Sequence, residues 1–133
     1  MSFSIFVQSF QNGRAVNVPD ELITKIFSKR FVSENADIRV LEYPDGSRSE
    51  LKVRKDCPSA GLSFSRPPAS LEFWGAVLSI LQQTPSCLYW PGGGPVVAQA
   101  TVSEHLPKSM IEGLGDPMLA TSAEQVIEMI KKS

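Results

Sequence analysis

The sequence has no excess of charge of either sign. Its 133 residues contain 13 Lys and Arg against 14 Asp and Glu, which gives a formal net charge of −1. Binding to nucleic acid without sequence preference depends on clustered Lys and Arg that displace counterions from phosphates, so this balance argues against a nucleic-acid-binding chain. No run of about 18 uninterrupted apolar residues occurs either, and we expect no membrane-spanning helix.

The sequence is also poor in residues for metal binding and nucleophilic catalysis. It contains two cysteines, Cys57 and Cys87, and one histidine, His105. These do not have the spacing of a zinc ligand set, and no G-x-S-x-G motif is present. Ser103 and Glu104 adjoin His105, but neighbours on one helical turn point apart, so they do not form a catalytic triad. We therefore expect no catalytic residue, no metal and no cofactor, and rank an enzyme below a binding protein.

The N-terminal segment does not resemble a secretory signal. No basic residue precedes the mainly apolar segment 3–7, and the first basic residue is Arg14. A signal peptide would begin with a positively charged region. Two thiols in a chain without such a signal are typical of a reducing compartment. The sequence therefore predicts a cytoplasmic protein with reduced thiols, in which Cys87 is a small core residue.

Composition and length predict a single globular domain over residues 1–133. The chain is 42% hydrophobic and 20% charged, and its length suits one domain. From Phe73 to Ser103 it contains no Asp, Glu, Lys or Arg. Because charged side chains are the ones that are rarely buried unpaired, a stretch without them is suited to the interior. We expect this stretch to be the centre of the core.

The hydrophobic pattern predicts an α+β fold. Strand patterns cover residues 2–10, 38–43, 48–54, 61–65, 87–90 and 96–98, and a small parallel or edge strand is expected at 118–120. Helix patterns cover residues 19–31, 70–83, 107–113 and 122–132, and a T-x-x-E capping box begins at Thr101. Residues 2–10 have apolar side chains on both faces, as in a central strand. We predict a mainly antiparallel sheet of five or six strands, with three or four helices packed mostly on one face.

The hairpin at residues 38–54 is the clearest local signal and a candidate contact surface. Its turn, Pro44-Asp45-Gly46-Ser47, combines a proline that presets one position with a glycine that accepts positive φ. Charges of both signs alternate along the hairpin, and cross-strand pairing explains them without a partner. Mixed charge also suits protein docking, since charge pattern gives specificity. The predicted partner-binding residues are Arg39, Tyr43, Arg48, Lys52 and Arg54, and Tyr89, Trp90 and the glycines at 92–94 complete the predicted contact surface.

The loop Pro91-Gly92-Gly93-Gly94-Pro95 is the most unusual local feature. Consecutive glycines can expose backbone N–H groups to an anion, but phosphate-binding loops of this kind lead into a helix, whereas the apolar residues 96–98 follow here. A tight hairpin is therefore the favoured interpretation. The alternative is a small-ligand or anion pocket, formed by Tyr89, Trp90, Gly92, Gly93, Gly94 and His105.

Four segments resemble those of a group of small bacterial proteins of unassigned function. They are residues 2–8, 65–68, 88–97 and 105–111. The resemblance carries no catalytic signature, so it implies no activity for any single residue. In size and acidity the chain is also similar to immunity proteins, which bind and block a cognate toxin. This analogy rests on these general features alone.

Three hypotheses follow. The leading one is a protein-binding domain without catalytic activity, of which an immunity-type toxin inhibitor is one form. The alternative is a small-ligand or anion binder, or an enzyme, with its pocket at the Gly92–Gly94 loop. The third is a homodimer in which the edge of the 38–54 hairpin pairs with its twin.

Overall fold

Nine strands form one sheet, and four α-helices lie against it, in the computed structural model, which describes residues 3–35, 38–53 and 61–132. The strands are β1 (Ser4–Gln11), β2 (Arg14–Val16), β3 (Phe31–Glu34), β4 (Ile38–Glu42), β5 (Arg48–Val53), β6 (Leu62–Ser65), β7 (Ser86–Trp90), β8 (Gly93–Val97) and β9 (Met118–Leu119). The helices are α1 (Asp20–Phe27), α2 (Leu71–Gln83), α3 (Lys108–Leu114) and α4 (Ala123–Lys132), and 3-10 helices cover Ser28–Arg30 and Ala100–His105.

The strand order is β3-β4-β5-β6-β1-β7-β8-β9, and β2 pairs with the end of β1. All pairs are antiparallel except β8 with β9. The predicted α+β class and the mainly antiparallel sheet are confirmed, but five or six strands were too few. The hypothesis that the edge of the 38–54 hairpin pairs with a second copy is wrong as well. The hairpin β4–β5 has β3 on one side and β6 on the other, so neither of its strands has a free edge.

The first strand is central, as its two apolar faces predicted. It pairs with β6 through residues 4–7, with β7 through residues 6–9 and with β2 through residues 9–11. Gln8 lies where the neighbour on one side changes from β6 to β2. Its side chain is buried, and Nε2 donates to the carbonyl oxygens of Ser9 and Val16 at 3.0 and 3.1 Å. The amide thus fills part of the gap between two short neighbouring strands.

Three of the described α-helices, α1, α2 and α4, cover one face of the sheet over the main core, and α2 lies between the other two. The core is rich in rings. Phe73 of α2 has its centroid 5.3 Å from Phe64 of β6 and 5.1 Å from Trp74, both in edge-to-face arrangements. The Trp74 indole donates to the carbonyl oxygen of Pro68 at 2.9 Å, so burying this ring leaves no polar atom unpaired. Leu71, the first residue of α2, is 53% exposed.

The remaining helix, α3, lies on the opposite face together with the second 3-10 helix. They pack on β1, β7 and β8 over a smaller cluster of buried residues: Phe10, Cys87, Val97, Val102 and Leu106. The C-terminal helices are therefore divided between the two faces. This second layer covers the sheet over β1, β7 and β8. The same face remains exposed over β4, β5 and β6.

The capping box predicted at Thr101 does not form. The 3-10 helix there follows Gln99, and no side chain caps its start. The Gln99 amide instead reaches the end of α2, where Nε2 donates to the carbonyl oxygens of Leu81 and Gln82 at 3.2 and 2.9 Å. The last carbonyls of a helix lack intrahelical donors, so this side chain satisfies groups that the helix leaves unpaired.

Candidate interaction surface

One face of the sheet is exposed over β4, β5 and β6. Along β5, Arg48, Glu50 and Lys52 are exposed, whereas the residues between them point into the main core and are buried. We call this surface the open face. It consists of Ser4, Ile38, Val40, Glu42, Arg48, Glu50, Lys52, Ser63 and Ser65.

The strand register arranges the open face in rows. One row is Val40, Glu50, Ser65 and Ser4, and the next is Ile38, Lys52, Ser63, Phe6 and Tyr89. Paired side chains in such rows lie about 5 Å apart. The second row ends in two half-buried rings, Phe6 and Tyr89, which stack with centroids 5.3 Å apart. A charged area therefore adjoins an aromatic border.

The charges on the open face are largely free to meet a partner. Arg48 and Glu42 approach to 3.6 Å with side chains 63% and 36% exposed, and such exposed pairs contribute about 0–1 kcal/mol. Neither Glu50 nor Lys52 forms an ion pair with any residue in the described ranges. The charges of Arg48, Glu50 and Lys52 thus alternate in sign along β5. Other charged side chains of the described residues neutralise them only weakly.

A groove of about 490 Å³ lies at one end of the open face. Its lining includes Phe3, Val40, Arg48, Glu50 and Arg66. Arg66 has a φ of 52°, a left-handed conformation that residues other than glycine rarely adopt, and its N–H donates to the carbonyl oxygen of Phe3 at 3.0 Å. The exposed Arg66 side chain is thereby held beside Phe3, which is 37% exposed.

Arg39, predicted to contact a partner, belongs to the core side of β4 instead. It is 8% exposed, and its guanidinium lies 2.6 Å from Asp20 Oδ1, at the start of α1, and 3.3 Å from Glu34 Oε1. Its register partner is Leu51, a core residue. The alternation along β4, with the buried Leu41 two residues away, is the sequence signal that assigns Arg39 to this side.

Tyr43 is also buried, at 3% exposure. Its ring lies edge-on to Phe73 at 5.9 Å, and the Arg30 guanidinium lies 5.6 Å from the ring centroid. Burial raises the pKa of the Tyr43 hydroxyl. Of the five predicted contact residues, the structure leaves Arg48 and Lys52 exposed on the open face, and Arg54 lies outside the described residues.

Two of the three glycines of the predicted pocket are covered by their own neighbours, whereas a Cβ atom on Gly92 would meet nothing within 4 Å. Gly93 and Gly94 belong to β8, so the turn itself is short. A Cβ atom on Gly93 would lie 2.2 Å from Trp90 Nε1, because the buried indole covers this glycine. On Gly94, with a φ of 91°, a Cβ would lie 2.9 Å from the carbonyl oxygen of Leu88. These two glycines allow close pairing of β7 and β8.

His105 lies at the other end of the sheet from this turn. The backbone N–H of Asn12 donates to His105 Nδ1 at 3.1 Å, at the turn after β1. Tyr89, next to the glycines, pairs with Phe6 near the start of β1. Positions 6 and 12 of an extended strand are roughly 20 Å apart. His105 therefore stabilises the β1–β2 turn, and the expected pocket joining it to the glycines does not form.

Cys87 is a core residue, as predicted. It has no exposed surface, and its Sγ lies 3.6 Å from Met110 Sδ. Burial raises the pKa of the thiol to about 12, so it stays protonated and is a poor nucleophile. Cys57 lies outside the described residues. Within the described ranges, no group of three or more His, Cys, Asp or Glu side chains could hold a metal ion.

Comparisons with protein-family models, with curated proteins and with solved structures find no match for this chain. None of the helices in the described part of the chain has both the length and the apolar character needed to cross a bilayer. Three residues that line the groove, Phe3, Glu50 and Arg66, were missing from the predicted site, and the signals for them were the alternation along β5 and the Arg66-Pro67-Pro68 corner.

Proposed function

We propose that this chain is a non-catalytic domain that binds another protein through the open face. The observation that carries the proposal is a sheet face with alternating, weakly neutralised charges beside aromatic side chains. Protein interfaces are enriched in Arg and aromatic residues, and complementary charge patterns give them specificity and fast association. A stoichiometric inhibitor, such as an immunity-type protein, needs this kind of surface and no chemistry.

The arrangement of the groove supports the same function. Arg66 and Arg48 lie at its rim, and Val40 and Phe3 supply apolar surface. A partner side chain that enters the groove meets both a hydrophobic surface and fixed charges. Anchors of this kind, buried at the centre of a contact, contribute most of the binding energy in protein interfaces.

The test is affinity capture with the tagged chain from cells of its source. We expect a partner that co-purifies near one-to-one and is lost from the double variant Arg48→Glu, Lys52→Glu. The matched control is Lys25→Glu, Lys131→Glu, which makes the same charge change at exposed positions on α1 and α4. Thermal unfolding of both variants establishes that each is folded. Equal capture by the two double variants, or the lack of any stoichiometric partner, would contradict the proposal.

A thermal-shift screen separates protein binding from the small-ligand alternative. A ligand that binds the folded state raises its stability by RT ln(1 + [L]/Kd). We expect no metabolite or anion to raise the melting temperature of the wild-type chain. A compound that stabilises the wild type and loses its effect in Arg48→Glu, Lys52→Glu would instead show the open face to be a small-ligand site.

A further inference from the structure

The two edges of the sheet differ in their protection against pairing with another chain. At β3 the register shifts between Phe31 and Ser33, and Glu34 adds a charge. Bulges and charges are the devices that blunt an edge strand. The other edge, β9, is Met118–Leu119, whose side chains are uncharged and 37% and 50% exposed. Its regular pairing with β8 contains no register shift.

Beside this edge lies a groove of about 420 Å³ between β9 and α4. Leu119 and Met129 provide its apolar part. Glu124, Glu128 and Lys132 complete the polar lining with Gln125, and their four-residue spacing places the three charges in one row along α4. An apolar cleft is thus bordered by a row with the charge order minus, minus, plus.

We propose that this β9–α4 groove is the contact between two copies of the chain. A two-fold axis brings the same surface of both copies together in opposite directions. Reversed in this way, the row on α4 can place Glu128 of each copy opposite Lys132 of the other, and Leu119 of each copy beside the apolar part of the other groove. A row of one sign would call for an oppositely charged partner, whereas this row complements itself.

Two short strands limit the strength of such a dimer. Pairing of β9 with its twin adds few hydrogen bonds, and most of the contact comes from Leu119, Met118 and α4. We therefore expect a weak dimer that forms with rising protein concentration. Its surface is separate from the open face, so this inference does not depend on the proposed function.

Sedimentation velocity of the full chain, from about 10 μM to about 1 mM, tests the proposal. The sedimentation coefficient of the wild type should rise towards that of a dimer. Leu119→Lys should remain monomeric at concentrations at least tenfold higher. Leu71→Lys and Val32→Lys are matched controls, since these residues are 53% and 50% exposed elsewhere on the molecule, and both should dimerise like the wild type.

Charge reversal tests the two-fold arrangement with variants on the exposed side of α4. Glu128→Lys and Lys132→Glu should each weaken self-association about tenfold, and an equimolar mixture of the two should form a heterodimer. A wild-type chain that stays monomeric throughout would overturn the proposal. The proposal would also be overturned if Leu71→Lys weakened self-association as much as Leu119→Lys. The same holds if the equimolar mixture of Glu128→Lys and Lys132→Glu failed to restore self-association.

Discussion

The indole of Trp90 lies across Gly93 on the neighbouring strand, and this contact leaves no space for a side chain at position 93. Trp90 is 3% exposed, so its ring has little room to move away from an added atom. Three ring atoms would lie between 2.2 and 2.6 Å from a Cβ on Gly93. Glycine is required here because a side chain would enter the space that the indole fills.

Gly93→Ala should therefore destabilise the fold. Added atoms in a well-packed interior typically cost about 1–3 kcal/mol, and we expect the free energy of unfolding to fall by this amount in urea titrations. Gly75→Ala is the control, because a Cβ there meets nothing within 4 Å and alanine favours a helix. If Gly93→Ala were as stable as Gly75→Ala, the indole would not be fixed in this position.

The buried thiol of Cys87 should make the protein less stable in alkali. Burial raises the thiol pKa from 9.0 to about 12 in the folded state. Between these values the unfolded chain loses the proton and the folded chain keeps it, so the unfolded state binds fewer protons and the free energy of unfolding falls as pH rises. From about pH 9 to about pH 10.5, the free energy of unfolding of the wild type should fall by roughly 1 kcal/mol more per pH unit than that of Cys87→Ala. Urea titrations of both proteins at each pH measure this difference. Equal slopes for the two proteins would show that the thiol is not desolvated.

Among the elements, α2 depends on a residue that lies outside it. The Gln99 amide donates to carbonyl oxygens at the C-terminal end of this helix, and Thr84 Oγ1 donates to the Ile80 carbonyl oxygen at 2.7 Å. The Gln99 bonds connect the helix end to the loop after β8. The junction ties together the elements of the uncharged stretch in residues 73–103.

Replacing this amide should loosen the end of α2. Gln99→Ala should lower the free energy of unfolding by about 1 kcal/mol, the typical net contribution of such hydrogen bonds. Gln83→Ala removes a similar amide from an exposed position on the same helix and should change stability by less than about 0.5 kcal/mol. Urea titrations measure both effects. Equal losses in the two variants would exclude a capping role for Gln99.

Elements with local signals could be predicted from the sequence, and those that depend on distant partners could not. Turn chemistry at residues 44–47 predicted the β4–β5 hairpin, and apolar periodicity predicted α2 and α4. Strand β3 follows a 3-10 helix with no turn residue between them, so the predicted helix extended to Phe31 and residues 32–34 were not predicted as a strand. It becomes a strand because β4 supplies its hydrogen-bonding partner.

The residues of the candidate site also divide into those that local sequence patterns placed correctly and those whose position depends on distant parts of the fold. Polar and apolar residues alternate along β5, and this alternation places Arg48 and Lys52 on the exposed face. Arg39 and Tyr43 are conspicuous polar residues in the same hairpin, but the parity of β4 turns them into the core. The small-ligand hypothesis joined His105 and Gly93 in one pocket. Strand direction, which the sequence does not reveal, places them at opposite ends of the sheet.

In the molecule as a whole, the uncharged stretch at residues 73–103 supplies α2, β7 and β8, and many of its side chains are fully buried. β7 lies between β1 and β8, so both of its edges are hydrogen-bonded. Strands of this kind open only with the global unfolding of a domain, whereas edge strands open locally. Stability should therefore decrease from the centre of the sheet towards its two edges.

Amide hydrogen exchange measures this gradient and tests both edges at once. In dilute protein, amides of β1 and β7 should exchange slowest, and those of β3 and β9 should both exchange fast. In concentrated protein the amides of residues 118–120 should slow, because a second copy covers them, while those of residues 31–34 should not change. Leu119→Lys should abolish that slowing, and the amides of β1 and β7 should exchange as slowly in this variant as in the wild type. Fast exchange throughout β7 would mean that the uncharged stretch is open to water, and equal slowing at both edges would point to general aggregation.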